Sequence, residues 1–149
     1  MKKDIVDLDC IQIMDEVENW EKAIEISSSP LLEKGYINKN YVEGMKQTVK
    51  DLGAYIVLVP GFAMPHARGD LGVFKNSCSI LKLNKPVYFD DTDESMANII
   101  MPIACVDNND HMKMIKLLAN ILEDSETLTK LLSSQNKEEI CHLFKQKDV

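Results

Sequence analysis

An apolar run, Tyr55-Ile56-Val57-Leu58-Val59, stopped at once by Pro60-Gly61, constrains this chain more than any other stretch. Five apolar residues bounded by turn formers read as a buried strand. Pro60 cannot donate to a ladder, and Gly61 reaches backbone angles closed to other residues, so the pair ends the strand. Pro65 then fixes the backbone just ahead of His66. An imidazole on a stiff loop beyond a buried strand is well placed for chemistry. Arg68, two residues later, is the only arginine among 17 basic residues. A planar, permanently charged fork beside a histidine suits a phosphate group. The plain alternative is a surface histidine with no role.

The rest of the chain reads as helices on either side of strands. Asp9 is a candidate N-cap with Gln12 in capping-box position, and Ile13, Val17, Trp20 and Ile24 share one helical face, which predicts a helix from about Cys10 to Ile26. Ser27-Ser28-Ser29-Pro30 predicts a break, followed by a short turn, Leu31 to Lys34, that Gly35 ends. Asn38 caps the next helix, with Val42, Met45, Val49 and Leu52 on one face and Gly53 as its stop. After the histidine loop and a loop at Gly69–Gly72, Val73 to Leu83 leans to β structure. Pro86–Phe89 and Asn98–Val106 read as further strands, with Pro102 marking an edge or a bulge. Asp107–Asp110 forms a turn able to cap a helix over His111–Glu123; Ser125 caps a helix to Leu132, and Asn136 one over Lys137 to about Lys147. The order predicts an α/β sandwich, one domain over residues 1–149 with a mixed central β-sheet flanked by helices.

Composition narrows the function. With a net charge of −7 the chain lacks the basic face that nucleic acid needs. No apolar run approaches a membrane span, and the first residues lack the apolar core of a signal peptide. Cys10, Cys78, Cys105 and Cys141 are widely spaced, with no C-x-x-C pair. They read as reduced, buried residues of a cytoplasmic protein with no cysteine metal site. Asp90–Glu94 is acidic but lacks the glycine and spacing of a calcium loop.

His111 opens a predicted helix directly after a buried strand, where backbone N–H groups favour an anion. Two strands, each followed by a histidine beyond its C-terminal end, point to one site. The plain alternative for His111 is a surface helix start. His142 lies among charged residues and reads as a bystander. Cys105 sits in an apolar run that keeps its thiol protonated. No phosphate-loop, dinucleotide or nucleophile-elbow motif is present, and no H-x-x-x-H pair for zinc.

Residues Tyr55 to Arg68, read whole, closely resemble the active-site segment of enzyme IIA in the mannitol–fructose class of the bacterial sugar phosphotransferase system. The resemblance covers nearly the whole chain. Trp20–Ile24 looks like the family's first helix, Leu31–Tyr36 and Tyr41–Met45 its next segment, and Asp110-His111 with Leu117-Leu118-Ala119 its later histidine motif. It implies that His66 accepts a phosphoryl group from the carrier protein HPr and passes it to a cysteine of a IIB component, with His111 alongside. It implies a mixed sheet flanked by helices, no cofactor, and a membrane-embedded IIC component served indirectly. Family members of the mannitol type carry an arginine near Lys46–Lys50; this chain has none there, and Arg68 is the replacement phosphate ligand expected. Pro-His-Ala-Arg and Pro86–Phe89 resemble the ascorbate-type branch, so ascorbate or a related sugar acid or pentitol is the expected substrate. A regulator using the same phosphohistidine without transport, and a hydrolase or metal protein using both histidines, are the other readings.

Overall fold

Among the described residues, five strands form one mixed sheet and two form a small second sheet. The computed structural model describes residues 5–144. Its strands are β1 (Ile11–Met14), β2 (Val57–Val59), β3 (Gly61–Ala63), β4 (Ser77–Cys78), β5 (Ile80–Tyr88), β6 (Met96–Ile100) and β7 (Ile103–Ala104). The helices are α1 (Trp20–Glu33), α2 (Lys39–Leu52), α3 (Asn108–Glu123), α4 (Ser125–Ser133) and α5 (Lys137–Leu143). The large sheet runs β1-β5-β6-β3-β2. β1 is parallel to β5 and β3 to β6, while β5–β6 and β2–β3 are antiparallel. β4 pairs antiparallel with β7.

Strand alternation assigns the helices to opposite faces. Gln12 stands across from Leu81, and its amide donates to the Ile26 carbonyl of α1 at 2.7 Å, so that face looks at α1. Phe62, Ile99, Lys82 and Ile13 are in register on the other face, where Phe62 meets Phe144 just past α5 with ring centroids 6.2 Å apart. Leu132 of α4 lies against Gly61. The mixed sheet flanked by helices is thus as the sequence predicts.

Several local readings are corrected. Residues Leu8–Cys10 form a 3-10 turn and Ile11–Met14 a strand; the first helix starts only at Trp20, capped by the Asn19 side chain on the Lys22 N–H at 2.9 Å. Asp9 caps nothing and instead binds the Lys34 ammonium at 2.7 Å. Tertiary pairing overrides the helical period here, because Ile11 to Met14 complete the ladder beside β5.

The expected break at Ser27–Pro30 does not occur; α1 runs through it. Proline leaves the carbonyl four residues back without its helical donor. That carbonyl, Ile26 O, receives Gln12 Nε2 at 2.7 Å and Ser29 Oγ at 2.9 Å, so the helix continues to Glu33. Pro86 likewise sits inside β5, where the pairing with β6 shifts register between Lys82 and Val87.

The run Tyr55–Val59 is not a buried strand. Gly53–Ile56 is a 3-10 turn, Tyr55 is 72% exposed, and Val57–Val59 is a half-exposed edge strand. The buried strand is β3, beyond Pro60, flanked by β2 and β6. Gly61, at φ +92°, turns the chain back against β2, and a Cβ there would lie 3.0 Å from a Leu132 methyl.

Beyond the histidine loop, Gly69–Leu71 adds a 3-10 turn. Asn98–Val106 splits into β6 and β7 around Met101-Pro102. Helix α3 starts at Asn108 with Asp107 as its cap, Asp124 rather than Ser125 caps α4, and Asn136 caps α5 as expected. Residues 145–147 of the last expected helix lie outside the described residues.

Candidate functional site

The site grows from the parallel pair β3 and β6. Parallel neighbours release their chains at the same end of the sheet, so both histidine-bearing segments leave side by side. From β3 the chain runs through Met64-Pro65 to His66; from β6 it crosses to β7 and then enters α3. The rings of His66 and His111 meet with centroids 4.9 Å apart and planes 43° apart. They line a cleft of about 520 Å³ with Thr48, Arg68, Asp70 and Val106. The structure therefore brings together all three residues singled out from sequence: His66, His111 and Arg68. Exposed His142 on α5 is not among the cleft residues.

Backbone geometry decides how His66 can react. Its Nδ1 lies 2.8 Å from the Met64 carbonyl oxygen. A carbonyl only accepts, so in the neutral ring Nδ1 carries the proton and Nε2 is left with its lone pair. The loop holding this ring is short of space: a Cβ on Gly69 would fall 2.2 Å from Cys105 O and 2.6 Å from Val106 O. Those are backbone atoms of the segment leading into α3, so they cannot swing aside. Gly69→Ala is expected to destabilise the protein by about 1–3 kcal/mol, the scale of an overpacked site. Urea unfolding checks this, and an unchanged midpoint removes Gly69 from the clamp.

His111 is held from two sides. The Asp107 side chain accepts from the Asp110 N–H at 2.8 Å and starts α3. Asn76 accepts from the Val106 N–H at 2.7 Å and donates to Asp110 at 2.8 Å, which pins the turn before the helix. Burial, with a smaller contribution from the nearby His66, pushes the His111 pKa below its usual 6.5. His111 is therefore neutral near neutral pH and can donate one ring N–H.

The unfolded chain protonates this ring before the folded one does, so stability present above about pH 6.5 is lost as pH falls toward the folded pKa. Urea midpoints from about pH 7.5 down to pH 5.5 are expected to fall more for wild type than for His111→Gln. Parallel curves would contradict it.

Arg68 sits exposed at the rim, with Nε 3.1 Å and a terminal nitrogen 3.0 Å from the two oxygens of Asp70. An exposed pair of this kind is worth little, so the guanidinium can exchange Asp70 for another anion cheaply. Lys46, in the Lys46–Lys50 stretch of α2, is engaged by Glu25 at 2.6 Å and Glu43 at 3.2 Å. From that stretch it is Thr48 that reaches the cleft. Cys105 also borders it, but burial pushes its thiol up to about 11, which makes it a poor nucleophile.

Among the described residues, the one group with metal-ligand spacing is Asp7, Asp9 and Cys10, away from the histidines. The Lys34 ammonium already lies 2.7 Å from Asp9 and 3.6 Å from Asp7. Residues missed by sequence reasoning are Thr48, Asn76 and Tyr41, whereas Asp107, in the acidic turn expected to cap a helix, is the cap of α3.

The profile described as "Phosphoenolpyruvate-dependent sugar phosphotransferase system, EIIA 2" matches residues 4–147. The chain belongs to that family. It is 31% identical over 134 residues to the mannitol-specific cryptic phosphotransferase enzyme IIA component of Escherichia coli (strain K12), covering 90% of each chain. It is also 31% identical over 135 residues to the ascorbate-specific EIIA component of the same strain, covering 90% of this chain and 88% of the relative. The solution structure of the E. coli cryptic mannitol IIA superposes with a TM-score of 0.85 at 29% identity, covering 94% of this chain and 95% of that one.

Around the histidine loop of this EIIA-type chain, Phe62 and Ala63 are buried because β3 lies inside the sheet, Met64 and Val73 are buried as well, and Phe74 is exposed. The exposed apolar side chains next to cleft residues are Leu71, Val106 and Met112. No helix among the described residues is long and apolar enough to cross a membrane.

Proposed function

We propose that this chain is a IIA phosphocarrier of sugar uptake, acting as one domain over residues 1–149. It takes a phosphoryl group from phospho-HPr on His66 Nε2 and passes it to a IIB cysteine, and through IIB serves a membrane IIC component. In the first step the P–N bond of the donor breaks as a P–N bond to His66 forms. In the second a thiolate sulfur attacks phosphorus and the His66 imidazole leaves. The observation that carries the reading is the bond from His66 Nδ1 to Met64 O, which in the neutral ring leaves the Nε2 lone pair free beside His111. His111, the start of α3 and Arg68 supply the donors that a dianionic group requires. The four cysteines, widely spaced and with no C-x-x-C pair, suit a reducing cytoplasm.

Incubation with enzyme I, HPr and phosphoenolpyruvate, followed by intact mass, tests this. One acid-labile, base-stable phosphoryl group per chain is the expected result, and an unmodified mass overturns it. Arg68 after Pro-His-Ala supports ascorbate over mannitol as the sugar served. Transfer to an ascorbate-type IIB is then faster than to a mannitol-type IIB; the reverse order overturns that choice.

A further inference from the structure

We infer that Tyr41 is a positioning residue whose buried hydroxyl splits the sheet between the two histidine-bearing segments and sets the spacing of His66 and His111. The inference rests on the phosphocarrier reading only for its kinetic consequence.

In a parallel pair, a residue donates its N–H to one partner carbonyl and accepts from the N–H two residues further along. Past β3 and β6 this pattern continues for a few bonds. Met101 donates to Ala63 O at 2.8 Å, and Ile103 donates to Pro65 O at 3.0 Å. The two return bonds would come from residues 65 and 67. Pro65 has no N–H to give. The Ala67 N–H goes instead to the Tyr41 hydroxyl at 3.1 Å, and that hydroxyl donates onward to Ile103 O at 2.5 Å. A longer contact of 3.4 Å runs from the same hydroxyl to Ala67 O.

Tyr41 thus stands in the place of a ladder bond. The inserted oxygen holds Ala67 and Ile103 apart while satisfying both. Ala67 follows His66 directly, and Ile103 leads by β7 into α3 and His111. The phenol is itself fixed. It is 1% exposed, and its residue lies in the first turn of α2, capped by Asn38. Gly44, one turn further on, lets the helix come within reach of the loop, since a Cβ there would lie 3.3 Å from Ala67 Cβ and 2.7 Å from Leu71. Burial pushes the Tyr41 hydroxyl up to about 12, so it remains a protonated donor throughout the working range.

Tyr41→Phe keeps the ring and removes only the inserted oxygen. Ala67 and Ile103 must then close on each other or stay unpaired, and either change shifts His66 relative to His111. A displacement of about 1 Å costs on the order of 10²-fold in rate for a positioned reaction. The expected result is a folded variant, judged by its amide spectrum, with altered cross-ring contacts between the two imidazoles in NMR. Phosphoryl transfer through it slows by about 10²-fold.

Unchanged cross-ring contacts overturn the inference, whatever the rate, because a merely structural loss would not run through the spacing. If wild type itself takes no phosphoryl group, the phosphocarrier reading fails and the ring contacts alone decide the role of Tyr41. If Tyr41→Phe does not fold, wild type decides. A slowly exchanging Tyr41 hydroxyl proton in contact with the Ala67 amide supports the inference, and one in free exchange with water overturns it.

Discussion

His66→Ala takes up no phosphoryl group from phospho-HPr, where wild type takes one. The expectation is total because, on the proposed mechanism, the His66 ring nitrogen is the reacting atom. His111 approaches the cleft from a helix, with its own turn pinned by Asp107 and Asn76. Cys105 is held protonated by burial. The loss is not a loss of folding. His66 is half-buried and makes one hydrogen bond, to Met64 O, so its removal costs about 1 kcal/mol of stability. Intact mass after incubation with the phosphorylation mixture, beside a melting curve, separates the two effects. A folded His66→Ala protein that still gains a phosphoryl group moves the accepting nitrogen elsewhere.

His111→Ala still accepts the phosphoryl group but passes it to IIB roughly 10²-fold more slowly, the scale seen when one preorganised donor is lost. Transfer leaves the protein chiefly with positioning and charge stabilisation, since the bonds made and broken belong to the two side chains and phosphorus. The ring of His111 lies 4.9 Å from that of His66, within reach of a group attached there. Because its pKa is lowered by burial, it enters the reaction neutral and donates one N–H without bringing a full charge. On the proposed mechanism Arg68 would supply the charge that does not titrate, once it releases Asp70. Stopped-flow transfer from the phosphorylated variant to IIB measures the step. Wild-type rates in both directions would return His111 to an ordinary helix residue.

Both expectations were reachable from the sequence in outline, and the reasons are local. Pro65 beside His66, the acidic turn before His111, and the caps Asn38 and Asn136 act on residues within a few positions of themselves, so their signals survive without the fold. The buried faces of α2 and α5 follow the helical period for the same reason: Val42, Met45 and Val49 are buried, as are Ile140, Cys141 and Phe144. Leu52, the last residue of α2, is exposed instead.

What only the tertiary structure decided are the contacts between distant segments. The run Tyr55–Val59 looks like the centre of a sheet, yet it ends up at the edge. The place beside β6 goes to the three residues after Pro60, and a single strand position is decided by pairing, not by hydrophobicity. Pro30 should end a helix, but a glutamine 14 residues from Ile26 takes up the carbonyl it leaves. The pairing of His66 with His111 could be proposed from two strand ends, but not their distance. That depends on Gly69 against Cys105 and on Tyr41, whose partners lie 26 and 62 residues away. A hydroxyl on an otherwise apolar helix face carries no sequence signal of its own. Its meaning comes from the two backbone groups it meets, and only the folded chain brings those together.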